Sequence, residues 1–70
     1  MISEKSFNAM FELFEVDRVL VNAIISTFTF FEYTIFSGIL KNGYNHYTTV
    51  DQQTREQFEM VFNAVVEAIS

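Results

Sequence analysis

Apolar side chains fall at Phe7, Met10, Phe11 and Phe14, the i, i+3, i+4, i+7 spacing of one helix face, with Lys5, Asn8, Glu12 and Glu15 elsewhere. Ser3 stands where an N-cap is needed and Glu4 complements the positive helix start, so the pattern predicts a helix near residues 4 to 15. Asp17 and Arg18 then occupy positions that a continuing helix would make apolar. A break is expected there, with Asp17 capping the next helix.

The segment from Val19 to Leu40 reads differently. Placed on a helix, Asn22, Ser26, Thr29, Tyr33 and Ser37 fall within an arc of about 80°. Nearly everything else in it is apolar. One neighbouring helix covers a stripe only somewhat wider than about 100°. A continuous helix over residues 18 to 41 therefore has to be covered on more than one side. Thr27 to Phe36 also consists almost entirely of strand-forming residues, and Asn42-Gly43 is a strong hairpin turn signal. A hairpin there would leave neither face clearly apolar, with Gly38 opposite Tyr47 and Phe36 opposite Thr49. The helix is the reading adopted, with an α+β hairpin as its alternative and Gly43 as the left-handed C-cap.

The last segment is predicted helical over residues 50 to 69. Thr49 and Gln52 make a capping-box pattern, and Phe58, Val61, Phe62, Val65 and Ile69 form a stripe. Met60 falls among the polar positions and is a candidate edge contact for a partner. Tyr44 to Thr48 reads as a connecting loop. The expected architecture is all-α, one domain over residues 1–70, a bundle of three segments completed by a second copy of the chain.

Composition narrows the chemistry. A chain of 70 residues buries only about 60 % of its unfolded surface, and short domains lean on disulfides, metals or oligomerisation. There is no cysteine and only one histidine, His46. Oligomerisation is the remaining device. Nine acidic and four basic residues give a net charge of −5, which argues against nucleic-acid binding. His46 has no recognisable triad around it, and neither metal-ligand spacings nor a glycine-rich phosphate loop occur, so no catalytic residue, metal or cofactor is assigned. The lack of cysteine and of a signal-peptide pattern favours the cytoplasm as an expectation.

Glu32 is the one formal charge between Arg18 and Lys41. It is expected at the edge of the packed surface, or paired across an interface with Arg18 or Arg55 of another chain. The candidate interface is Val21, Ile24, Phe28, Phe31, Glu32, Ile35 and Met60. The function expected is a non-enzymatic interaction module, an acidic helical homodimer that binds and regulates or inhibits a larger protein. Such chains occur among accessory proteins of phages and mobile elements, which is an analogy only. The alternative is a single membrane span over Val19–Leu40, long enough for a bilayer core of about 30 Å but carrying Glu32 at a cost of roughly 2.5–3.5 kcal/mol.

Overall fold

Ser3 takes an extended conformation and its hydroxyl accepts the N–H of Ser6, which starts α1 (Glu4–Val16). Asp17 ends it and starts the next helix. Its own N–H donates to the Leu13 carbonyl at 2.8 Å, and its Oδ1 accepts the Leu20 N–H at 3.0 Å, opening α2 (Arg18–Ile24). Both caps are where the sequence placed them. The Arg18 guanidinium lies over the Phe14 ring, 4.4 Å from its centroid, so the first charge after the break still packs on α1.

The computed structural model describes residues 1–70, and it divides the apolar middle segment instead of extending it as one helix. A 3₁₀ turn (Ile25–Thr27) follows α2, Phe28 and Thr29 are extended, and α3 (Phe30–Asn42) begins afresh. The break is held by a reciprocal pair. The Thr29 hydroxyl accepts the Glu32 N–H at 3.1 Å, and the Glu32 carboxylate accepts the Thr29 N–H at 2.7 Å. Division solves the covering problem that a continuous helix would have posed. Val21 and Ile25 enter the core from one side of the break, and Phe36, Ile39 and Leu40 enter from the other. No helix is long and apolar enough to cross a membrane, so the span reading of Val19–Leu40 loses its structural basis.

No strand forms, and the hairpin alternative is not supported. Gly43 ends α3 with φ of 100°, its N–H donating to the Ile39 carbonyl. Its carbonyl in turn accepts the Tyr47 N–H, so the segment expected as a loop is a short helix, α4 (Tyr44–Thr49). That helix takes Thr49 away from the capping role read for it: the Thr49 hydroxyl donates backwards to the His46 carbonyl. Asp51 caps α5 (Gln52–Ile69) instead, accepting the Thr54 N–H at 3.3 Å and the Thr54 hydroxyl at 2.6 Å. These two bonds hold the Asp51 carboxyl below its ordinary range.

All thirteen buried residues are hydrophobic and form one cluster drawn from α1, α2, the 3₁₀ turn, α3, α4 and α5. Rings are its continuous element. Phe14 meets Phe36 edge-on at 6.2 Å, Phe36 stacks on Phe58 at 5.4 Å, and Phe58 touches Phe7, Tyr47 and Phe62. The solvent-accessible area is 4410 Å², against about 4,500 Å² expected for a folded monomer of this mass. The chain alone therefore reaches ordinary compactness.

Two substitutions check this arrangement. Thr29→Ala removes one half of the reciprocal cap and should lower unfolding free energy by about 1 kcal/mol in urea titration. Phe58→Ala opens a void where five rings meet and should cost about 3–5 kcal/mol. Equal small losses for both would contradict the core as described.

Candidate functional site

The core holds one polar network, built on Tyr47. Its ring is fully buried between α1 and α5, and its hydroxyl donates to the Glu59 carboxylate. The same hydroxyl accepts the Ile2 N–H at 2.8 Å, while the Tyr44 hydroxyl donates to the Ile2 carbonyl at 2.8 Å. Two tyrosines thus grip one peptide group on each side of Ile2 and tie the start of the chain to α4 and α5. Burial, and then the Glu59 carboxylate, push the Tyr47 phenol up to about 12. A phenol held protonated in this way is a structural donor. It is a poor general base at neutral pH.

No other arrangement suggests chemistry. His46 is exposed on α4, and its carbonyl, the part of it that is engaged, accepts the Thr49 hydroxyl and the Val50 N–H. No three His, Asp or Glu side chains converge in a way that could hold a metal ion. The surface has open depressions rather than enclosed cavities, and what distinguishes them is how apolar their walls are.

The division of the middle segment leaves apolar side chains outside. Phe30 is 83 % exposed and Phe31 68 %, side by side in the first turn of α3, and Val16 and Val19 stand out at the corner between α1 and α2. The two rings look in different directions. Phe30 borders a hollow with Asn22, Ile25, Phe28 and Tyr33, whereas Phe31 borders one with Glu32, Ile35 and Gln57 of α5. A further groove lies between α1 and α5, walled by Met10, Leu13, Phe62, Val66 and Ile69.

The seven residues named from the sequence separate on this surface. Phe31, Glu32 and Ile35 come together in one hollow. Ile24 and Phe28 are half-buried against the core, and Met60 is exposed on α5. Val21 is wholly enclosed in the core of its own chain. Glu32 is half-buried at the margin of the packed surface, and its carboxylate closes the cap on Thr29. Phe30 and Val66 are exposed apolar residues outside the set named from the sequence, and Ile69, expected in the stripe of the last helix, is exposed as well. Phe30 follows the same Thr29-x-x-Glu32 signal that the sequence carries, because a cap at Thr29 puts Phe30 in an exposed first turn.

The Tyr47 network makes a titration testable. Its phenol is about 10 in an unfolded chain and about 12 here, so the stabilisation is complete below pH 10 and is lost as pH rises towards 12. Spectrophotometric titration should show a tyrosinate step near pH 12 that coincides with loss of helicity and is absent from Tyr47→Phe. Titration of all three tyrosines together near pH 10 in the folded protein would contradict the burial of this hydroxyl.

Compared with protein-family models, with curated proteins and with solved structures, the chain matches none.

Proposed function

We propose that this chain is a non-enzymatic protein–protein interaction module, a small acidic helical homo-oligomer that binds and regulates or inhibits a larger protein. The observation that carries the reading is the pair Phe30 and Phe31, exposed on a domain whose own core is already closed. Burying one such side chain in a partner contributes about 1.5–3 kcal/mol, and interface anchors are enriched in aromatic residues. Self-association is assigned to the hollow where Phe31 and Ile35 meet α5, where the second copy joins two finished cores.

Molar mass by light scattering over a range of concentrations tests the oligomer. The expected result is a mass above 8.2 kDa that falls on dilution, and a Phe31→Glu variant that stays at 8.2 kDa with unchanged helicity. A wild-type chain at 8.2 kDa at every concentration overturns the homo-oligomer.

A further inference from the structure

We propose that the break between α2 and α3 is a hinge, and that opening it lets α1 and α2 of one chain pack on α3, α4 and α5 of a second copy in a domain-swapped dimer. This goes beyond the association at the Phe31 hollow, which joins two closed cores, and neither depends on the other. Two lobes meet in the core. Phe14 and Phe7 of the first lobe touch Phe36 and Phe58 of the second, with ring centres 6.2 and 5.7 Å apart. Along the chain, the lobes are joined only through the 3₁₀ turn and the two extended residues Phe28 and Thr29. The contacts a second copy needs are therefore those already made within one chain, and exchanging the lobes requires no new core.

The hinge sequence fits both states. Neither glycine nor proline occurs before Gly38, so nothing in it forbids a continuous helix. Counted at about 100° per residue through the break, Val21, Ile25, Phe36 and Ile39, buried from either side of it, fall within an arc of about 60°. Straightening keeps one core face. A continuous helix from Arg18 to Asn42 is about 37 Å long, whereas the closed chain measures 28 Å in its greatest extent. Once straight, the first lobe is carried beyond the reach of its own second lobe and packs on that of the partner. In the closed chain the bend is held by the Thr29–Glu32 pair and by the Phe28 N–H donating to the Ile25 carbonyl at 3.0 Å. In the open chain the N–H groups of the first turn of α3 gain carbonyl partners instead. Phe30 and Phe31, exposed beside the hinge, come together where the two straightened segments pass. The two forms differ only around the hinge, so protein concentration decides between them.

Refolding from urea at low and at high protein concentration, followed by gel filtration, isolates the two forms. The dilute refold should give the monomer with its bend in place. The concentrated refold should add a dimer that survives dilution for minutes or longer, because its release requires the core to open. Association at the Phe31 hollow needs no such opening and disperses at once. In a dimer refolded from isotope-labelled and unlabelled chains, filtered NOEs should join Phe14 of one copy to Phe36 of the other. Thr29→Ala removes one cap per chain, a factor of about five each, and should raise the dimerisation constant about 30-fold. Phe30→Pro fits the first position of α3, where Thr29 is already extended as the residue before proline must be, but it cannot sit inside a continuous helix. It should keep the monomer and abolish the slow dimer, which Phe30→Ala only weakens. NOEs confined within each chain overturn the proposal, as does a concentrated refold without a slow dimer or a dimer that Phe30→Pro forms as readily as wild type. Any of these results leaves the dilution-sensitive oligomer standing, and a slow dimer with interchain NOEs stands without it.

Discussion

The reciprocal hydrogen bonds between Thr29 and Glu32 determine how this molecule is arranged. A 22-residue segment that is apolar on almost every side cannot be covered as a single rod by the two helices that flank it. Cut at Thr29, it becomes two helices that each bury one face. Val21 and Ile25 then meet the same core as Phe36, Ile39 and Leu40, and rings from Phe14 to Phe62 link the elements together. The cap supplies partners for backbone N–H groups that the break would otherwise leave unsatisfied.

The same cut explains what is left outside. A helix that starts at Phe30 has its first turn at the margin of the domain, so two adjacent rings there cannot both turn inwards. The exposed Phe30 and Phe31 follow from closing the core in this way. The acidic surface has a parallel origin: the stripes of α1 and α5 are consumed by the core, and their opposite faces carry most of the carboxylates. The interior holds a structural tyrosine network built on Tyr47.

Much of the fold is legible in the sequence. The helix class, the cap at Ser3, the double role of Asp17, the stop at Gly43 and the stripe of the last helix from Phe58 to Val65 all follow from local rules, whereas Ile69, expected in that stripe, is exposed. What escapes comes from competing signals. Thr49-x-x-Gln52 and Thr29-x-x-Glu32 have the same form, yet only the second is used: Asp51 offers a charged acceptor nearer the start of α5, and α4 absorbs Thr49. The Tyr44–Thr49 helix is too short to show periodicity, and burial of the Tyr47 ring against Phe7 and Phe58 stabilises it. Of the candidate interface, Phe31 is exposed in the first turn of α3 and Ile35 is half-buried against the core, while Val21 is wholly enclosed.

Backbone chemical shifts of residues 18 to 42 measured by NMR test the central claim most directly. The account predicts helical shifts through Ile24, extended values at Phe28 and Thr29, and a return to helical values from Phe30 to Asn42. Uninterrupted helical shifts from Arg18 to Asn42 would contradict it.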